Sequence, residues 1–153
     1  MGTLSTTNRT RQKLPRVAFS RAHELALPAY DVSLVFVTER EAQKLNVSLR
    51  KKTYVPNVLS YLAGEKHGEI IICTAEAKRQ ADSFSLSYPD FLLFLFIHGL
   101  LHLKGRRHSS IMEREERELL ARIVTRRTHN ETKTRHRDRH RDASNKSRRR
   151  RGS

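Results

Sequence analysis

The segment HGLLHLKGRRH at residues 98–108 ends the longest apolar run of the chain. His98 and His102 are four residues apart, so on a helix both side chains project from one face about one turn apart. Gly105 suits the left-handed conformation that ends a helix. The chain can then turn back and bring His108 to the two imidazoles, so the spacing predicts three convergent histidines.

Three neutral imidazoles that leave a fourth position open are typical of a catalytic zinc rather than a structural one. A lone histidine on an apolar helix is more often a core residue than a ligand. Two unpaired imidazoles buried on one face, however, would cost on the order of several kcal/mol. A second pair with this spacing, His136 and His140, lies among arginines with no apolar residue nearby, and we expect it to be solvated. We therefore predict one zinc ion per chain, bound by His98, His102 and His108.

The chain is strongly basic and has the length of one ordinary domain. Its 153 residues include 31 Lys or Arg and 16 Asp or Glu, a net charge of +15. Residues 126–153 alone hold 12 basic against 3 acidic residues. Because both parts of the chain are basic, a polyanion such as RNA or DNA is the favoured partner. Solubility alone, or attraction to anionic lipid, is the alternative.

The single cysteine, Cys73, excludes an intramolecular disulfide and fits a reducing compartment. We interpret it as a small core residue and not as a metal ligand. The longest apolar run is too short to span a bilayer, so no membrane association is predicted. A cytoplasmic location is expected. The first 23 residues lack Asp and Glu and contain Arg, Ser and Thr, so an organellar location in mitochondrion or plastid is the alternative.

The sequence divides into three segments: a flexible basic N-terminus (1–13), a folded domain (14–125) and a disordered Arg-rich tail (126–153). Runs rich in β-branched and aromatic residues predict strands at residues 33–37, 58–62 and 69–73. Helices are expected from Pro15 to Pro28, from Thr38 to about Leu49, over 75–82, from Pro89 to about Lys104 and from Ser110 to about Arg126.

Side-chain caps are expected to open three of these helices. Thr38 with Glu41 and Ser110 with Glu113 have the spacing of capping boxes, and Thr74 is expected to cap the helix over 75–82. The last helix is expected to turn Ile111, Leu119 and Ile123 inward. Strands and helices alternate without a strict βαβ repeat, so the fold class is α+β.

Zinc peptidases with this histidine spacing carry a glutamate directly after the first histidine as general base, whereas this chain has Gly99. Peptide hydrolysis would therefore lack its usual proton acceptor. A glycine within a helix costs about 1 kcal/mol relative to alanine. Gly99 therefore predicts a close approach of the backbone, either to the sheet or to a substrate.

Residues 98–108 resemble the signature of the YbeY family of rRNA maturation factors, His-Gly-x-Leu-His-Leu-x-Gly-Tyr-Asp-His. Further segments resemble family motifs: Leu45-Asn46 with Arg50, Val58-Leu59-Ser60-Tyr61, Gly68-Glu69-Ile70, and Met112 with Glu116. The resemblance covers about residues 32–122. It implies a small mixed sheet of about four strands packed by about five helices, with a metzincin-like His-xxx-His-xx-Gly-xx-His metal helix. The chain departs from the pattern where Arg106-Arg107 replace Tyr-Asp and Pro56-Asn57 replace Thr-Asp, and the family's N-terminal strand has no obvious counterpart.

The resemblance also implies roles for individual residues. Arg50 would contact the scissile phosphate and offset its developing charge, although a solvated loop arginine is the alternative. Glu69 would orient a histidine or accept a proton, or else be a surface residue at the strand edge. Arg106 and Arg107 would line the mouth of the cleft and bind RNA, or else form an exposed turn. The arginines Arg148, Arg149, Arg150 and Arg151 would add RNA attraction that is independent of sequence, or would only solubilise the tail.

The predicted function is that of a single-strand-specific, metal-dependent endoribonuclease in rRNA processing and ribosome maturation, at the 3′ end of a 16S-type rRNA. Its predicted partners are ribosomal RNA and the small ribosomal subunit, and its oligomeric state stays open. A non-catalytic, zinc-containing RNA-binding factor of the ribosome is the first alternative, and a zinc peptidase is the second.

Overall fold

A computed structural model describes residues 1–125 of the chain. The chain divides into two compact units, residues 1–120 and residues 121–153. The elements in chain order are β1 (Leu4–Asn8), α1 (Phe19–Ala26), β2 (Asp31–Val37), α2 (Glu39–Arg50), β3 (Val58–Gly64), β4 (His67–Cys73), α3 (Thr74–Gln80) and α4 (Tyr88–Leu103). A 3₁₀ turn covers Asp82–Phe84. Residues 110–125 are helical and are labelled α5.

The four strands form one mixed sheet in the order β1-β2-β4-β3. β1 and β4 both pair with β2 in parallel, and β3 pairs with β4 in antiparallel orientation. Central β4 is apolar over Ile70, Ile71 and Ile72, as expected for a strand covered on both faces. The predicted α+β class, with a four-stranded mixed sheet and five helices, is confirmed.

α4 lies on one face of the sheet and is buried along most of its length. Ten of its 16 residues are buried. A Cβ atom at Gly99 would lie 3.0 Å from Ile70 Cδ1, and one at Gly68 would lie 2.5 Å from Leu103 Cδ1. Gly99 therefore lets the helix approach the sheet, which is the first of the two explanations that the sequence offered. Side chains alternate along a strand, so Gly68 and Ile70 define the face that α4 covers.

α2 covers the opposite face of the sheet. Its Ala42 packs in a buried cluster with Val37, Leu59, Ile71 and Cys73. Burial raises the pKa of the Cys73 thiol, which is only 1% exposed. Cys73 is thus a core residue, as the sequence indicated, and it lies on the face away from α4.

The prediction of a flexible N-terminus is wrong for residues 4–8, which form the parallel edge strand β1. The strand is polar and largely exposed, so its sequence lacks the apolar alternation that marks a half-buried strand. Long-range hydrogen bonds hold it instead. The Thr3 N–H and the Thr3 hydroxyl both donate to Asp31 Oδ1, at 2.8 and 2.9 Å. These bonds hold the pKa of the Asp31 carboxyl below its usual value.

Over residues 1–125 the helix boundaries agree with the sequence to within two residues, except at three N-termini where the start or the cap differs. The Thr38 hydroxyl accepts from the Glu41 N–H at 3.3 Å, so this cap is confirmed. α1 begins at Phe19 and not at Pro15. Thr74 is the first residue of α3, and its N-cap Cys73 makes no side-chain capping bond.

The third N-terminus that differs is that of α5, where Ser109 and not Ser110 is the capping residue. The Ser109 hydroxyl accepts from the Met112 N–H at 3.2 Å. Accordingly Ile111 is 62% exposed and Met112 is 1% exposed, so the inward position predicted for Ile111 belongs to its neighbour.

Some sequence predictions fall outside the described residues. The Arg-rich tail, including Arg148 to Arg151 and the pair His136 and His140, belongs to residues 126–153, beyond the described part of the chain. Within residues 1–125, no helix combines the length and the apolar character that crossing a membrane requires.

Candidate metal centre

The last turn of α4 and the loop after it position the three predicted ligands. α4 ends at Leu103, and Gly105 follows with φ of 99°. This left-handed conformation lets the Arg106 N–H donate to the Leu101 carbonyl at 2.9 Å and turns the chain back. The turn brings His108 back to the helix, as the sequence analysis expected from Gly105.

The three imidazoles converge. Their ring centroids are 4.5 Å apart for His98 and His102, 5.1 Å for His98 and His108, and 4.6 Å for His102 and His108. One ring nitrogen of each lies within 4.8 Å of those of the other two. His98 and His102 are half-buried and His108 is exposed, so the cluster opens to solvent on one side.

Glu116 of α5 fixes the ring of His98. Its Oε1 lies 2.5 Å from His98 Nδ1, and the residue is only 5% exposed. Because a carboxylate only accepts hydrogen bonds, Nδ1 carries the proton and donates. In the neutral ring of His98 the lone pair then resides on Nε2.

The loop backbone fixes His102 in the same way. His102 Nδ1 lies 3.1 Å from the carbonyl oxygen of Arg106, which only accepts, so Nδ1 again donates. Burial, followed by repulsion from His98, lowers the pKa of His102 below its usual value. Its Nε2 lone pair lies 3.0 Å from Nε2 of His98.

These donors fit a zinc ion. When both rings are neutral with their protons on Nδ1, the two Nε2 lone pairs face each other at 3.0 Å and cannot hydrogen-bond to one another. Nitrogens bound to one tetrahedral zinc lie about 3.4 Å apart, given Zn–N distances near 2.1 Å. Histidines that bind a metal through Nε2 and donate from Nδ1 to a carboxylate or a carbonyl oxygen are the usual arrangement in zinc sites.

A cavity of about 410 Å³ opens beside the histidines. His98 and His108 form part of its wall, and Glu113 and Glu116 contribute two carboxylates. Glu116 is bound to His98. The Glu113 carboxylate is exposed and has no hydrogen-bond or ion-pair partner among residues 1–125.

Arg50 and Glu69, the two catalytic residues suggested by the sequence, do not line this cavity. Glu69 follows Gly68 and precedes Ile70 on β4, so its side chain points to the face that α2 covers, away from α4. The structure therefore does not bring Glu69 to the histidines. Arg50 ends α2, and its Nη1 donates to the Tyr54 hydroxyl at 3.2 Å.

Arg106 and Arg107 lie in the loop between the second and third histidines, and neither lines the cavity. Arg106 Nε donates to Glu115 Oε1 at 2.9 Å, so this ion pair compensates much of its charge. The arginine that does line the cavity is Arg117 of α5.

Sequence reasoning did not assign Glu116 to the site, although a signal was present. Met112, Glu116, Leu119 and Ile123 recur at helical spacing, so Glu116 is an acid within the apolar stripe of its helix. A carboxylate in that position needs a buried partner. The partner is a histidine 18 residues away, which helix periodicity alone does not identify.

Comparison with known proteins decides the family. The family model described as Endoribonuclease YbeY matches residues 4–127. The chain belongs to the YbeY family. The YbeY match includes β1, the strand that the sequence analysis had missed.

Curated YbeY relatives are about one third identical to this chain. The Endoribonuclease YbeY of Staphylococcus saprophyticus is 33% identical over 118 residues, which are 69% of this chain and 76% of the relative. That of Phytoplasma australiense is 37% identical over 92 residues, 54% of this chain and 64% of the relative. That of Bdellovibrio bacteriovorus is 35% identical over 82 residues, 52% of this chain and 55% of the relative. The alignments thus span between about half and three quarters of each relative's length.

The fold is also similar to a solved structure. A solution structure of a protein from Thermotoga maritima superposes with a TM-score of 0.59 at 21% sequence identity. The match covers 84% of this chain and 93% of the other. It supports the α+β fold described above.

Proposed function

We propose that this protein is a zinc-dependent endoribonuclease that cleaves single-stranded RNA during maturation of ribosomal RNA. The observation that carries the proposal is the pair of Nε2 atoms of His98 and His102, which face each other at 3.0 Å while both Nδ1 atoms are engaged elsewhere. The names of the relatives, Endoribonuclease YbeY, support the reaction class.

In this proposal His98, His102 and His108 hold the zinc. When bound, a zinc ion with three neutral ligands keeps its positive charge, polarises a phosphoryl oxygen and lowers the pKa of water toward 7. Glu116 holds the His98 ring in the orientation that points Nε2 at the centre of the cluster. The Arg106 carbonyl does the same for His102.

Glu113 is proposed as the group that accepts a proton during hydrolysis. It replaces Glu69 in this role, because Glu113 lines the cavity that His98 and His108 share, and Glu69 lies on the other face of the sheet. Its exposed carboxylate has no partner among the described residues, so both of its oxygens are available to a water molecule or to the RNA. Proton transfer by such a group contributes about 10²- to 10⁴-fold to rate.

Arg50 is proposed to bind a phosphate of the RNA. Among residues 1–125 its guanidinium is hydrogen-bonded only to the hydroxyl of Tyr54, so no described carboxylate compensates its charge. Arg107 and the tail arginines Arg148, Arg149, Arg150 and Arg151 are proposed to add electrostatic attraction along the RNA backbone. The chain has 31 basic and 16 acidic residues, and this excess of positive charge supports RNA as the partner.

The proposed substrate is the 3′ region of a small-subunit ribosomal RNA, in the cytoplasm. A reducing compartment is consistent with the buried, unpaired thiol of Cys73. Peptide hydrolysis is disfavoured, because Gly99 packs against Ile70 and its position has no room for the glutamate of the peptidases.

The proposal is tested with a labelled RNA offered as a single strand and as a duplex of the same sequence. We expect zinc-loaded protein to cleave the single strand, and chelation to abolish cleavage. Arg50→Ala should lose cleavage but keep its zinc, since Arg50 lies outside the metal cluster. A protein that retains zinc but cleaves neither RNA would instead be the non-catalytic factor. Digestion of a peptide library that chelation blocks would point to a peptidase.

A further inference from the structure

One wall of the cavity beside the histidines consists of residues that are not needed to bind a metal ion. The cavity volume of about 410 Å³ is within the range of small-molecule sites. The apolar lining consists of Val58, Phe84, Phe94, Leu95 and Met112. Because His98 and His108 line the same cavity, anything bound against this wall lies next to the metal site.

Two phenylalanines give the wall flat surfaces in fixed positions. The Phe84 ring centroid lies 4.8 Å from that of Phe91, which is fully buried. The Phe94 ring lies 5.9 Å from Phe84 and 6.3 Å from the ring of His98. The rings therefore form a continuous series that reaches the metal cluster. Phe84 is nevertheless 50% exposed, which leaves an aromatic face available to a ligand.

Asn57 adds a hydrogen-bond acceptor to the cavity, and a chain of bonds fixes its orientation. Asn57 Nδ2 donates to Gln80 Oε1 at 2.8 Å, and Gln80 Nε2 donates to Glu76 Oε1 at 2.8 Å. Glu76 is ion-paired with Arg79, and this bond lowers the pKa of its carboxyl. An ionised carboxylate only accepts, so it sets the orientation of both amides. The atom that Asn57 has left for a ligand is its carbonyl Oδ1.

We propose that this cavity binds one unstacked nucleobase of the RNA, with the base against Phe84 and Phe94 and an amino group of its edge directed to Asn57 Oδ1. This inference rests on the proposed function, since it places the base beside the phosphate to be cleaved. A base reaches an aromatic side chain in this way only when it is splayed out of a helix. The cavity would therefore select single-stranded RNA.

One cation of the cavity wall suits a nucleotide better than an apolar peptide side chain, and it lies in the same wall as the carboxylates of Glu113 and Glu116. Arg117 lines the cavity, is exposed and has no partner among residues 1–125. A guanidinium in this position can bind a phosphate that flanks the base. Asn57 and Arg117 together supply an acceptor for a base edge and a donor for a phosphate, in addition to the aromatic wall.

The test measures binding of adenosine 5′-monophosphate and of ribose 5-phosphate to the zinc-loaded protein by calorimetry. Ribose 5-phosphate has the sugar and the phosphate but no base. Its affinity therefore measures the part of the binding, including contact with the metal, that does not depend on the base. We expect the nucleotide to bind about 5- to 150-fold more tightly, which is the usual effect of one stacked base. Equal affinity for the two ligands would overturn the proposal.

Variants of Phe84 separate stacking from apolar contact. Phe84→Ala should remove most of the advantage of the nucleotide over ribose 5-phosphate, and so should Phe84→Leu, which keeps an apolar side chain without a flat face. Leu62→Ala, at an equally exposed apolar position of β3, is the matched control and should bind as the wild type. Full affinity in Phe84→Leu would show an unspecific apolar pocket and contradict the proposal.

Asn57 is tested with purine riboside 5′-monophosphate, which lacks the 6-amino group of adenine. This ligand should bind the wild type roughly 3- to 10-fold more weakly than the adenine nucleotide, and the difference should vanish in Asn57→Ala. Because the two nucleotides are first compared on the wild-type protein, that result does not depend on whether a variant folds. Equal wild-type affinities would exclude the Asn57 contact.

These measurements do not depend on cleavage. If RNA is not cleaved while the nucleotide still requires Phe84, the proposed activity fails and the base site stands. If cleavage requires His102 but the nucleotide binds no better than ribose 5-phosphate, the activity stands and the base site fails.

Discussion

Glu116 Oε1 and His98 Nδ1 lie 2.5 Å apart, although the residues are 18 positions apart and belong to different helices. The bond joins α5 to the end of α4 that carries the candidate metal ligands, and it assigns a proton of His98 to Nδ1. Since Glu116 is only 5% exposed, its carboxylate depends on this partner in the folded protein. The bond between the two residues therefore supports the site by orienting one of its three histidines.

Glu116→Gln should weaken zinc binding about 10- to 100-fold, the usual effect of removing a hydrogen-bond partner of a ligand. The amide can still accept from Nδ1, so Glu116→Ala should bind zinc more weakly still. Competition with a chromophoric chelator measures both affinities. Glu118→Gln, an exposed acid two residues further along α5, is the control. Equal zinc affinity in Glu116→Gln and Glu118→Gln would show that the bond does not support the metal site.

Glu113→Gln should lower the rate of RNA cleavage about 10²- to 10⁴-fold with zinc content unchanged, because the amide cannot accept a proton. Glu69→Gln should cleave at the wild-type rate, since Glu69 lies on the opposite face of the sheet. Single-turnover cleavage at saturating protein separates this effect from RNA binding. The assignment is reversed if Glu69→Gln is the slow variant.

Gly99→Ala should destabilise the protein by about 1 kcal/mol. The new Cβ would lie 3.0 Å from Ile70 Cδ1 in the core, where overpacking costs about 1–3 kcal/mol. The gain in helix propensity of about 1 kcal/mol offsets part of that cost. Denaturant unfolding measures the change in the free energy of unfolding.

Two further variants check the source of this cost. Ile70→Val removes one of the contacting atoms, so in the double variant Gly99→Ala should cost less than it does alone. Gly64→Ala, where the nearest atom is 3.8 Å away, should be close to neutral. If the effects of Gly99→Ala and Ile70→Val simply add in the double variant, the cost of Gly99→Ala does not arise from its contact with Ile70.

Replacing Arg148, Arg149, Arg150 and Arg151 by glutamine should weaken binding to single-stranded RNA and make it less sensitive to salt. Each phosphate contact contributes about 0.7 to the slope of log K against log salt concentration. Four lost contacts would lower that slope by about 3. Fluorescence anisotropy at several salt concentrations measures it. An unchanged slope would mean that the tail only solubilises the protein.

Local sequence signals predicted the elements that local chemistry determines. Thr38 and Glu41 identified the start of α2 because a cap is formed by residues three positions apart. The glycine at position 105 predicted the left-handed turn, and its φ is 99°. At the start of α5 two adjacent serines are both possible capping residues. The sequence analysis expected Ser110, whereas Ser109 forms the cap.

Features that depend on distant residues could not be predicted in this way. Strand β1 is polar, and only its pairing with β2 and the Thr3–Asp31 bonds make it a strand. Glu69 was assigned to the site from a motif, but the alternation set by Gly68 and Ile70 directs it away from α4. The orientation of the Asn57 amide depends on Gln80, which lies on another element.

The zinc content of the purified protein, measured together with cleavage of a single-stranded RNA, shows whether the three histidines bind a catalytic metal. We expect one zinc ion per chain and cleavage in the wild type, and the loss of both in His102→Ala. His136→Ala, from the histidine pair without an apolar setting, should keep both. Full zinc content and undiminished cleavage in His102→Ala would contradict the assignment of the metal to His98, His102 and His108.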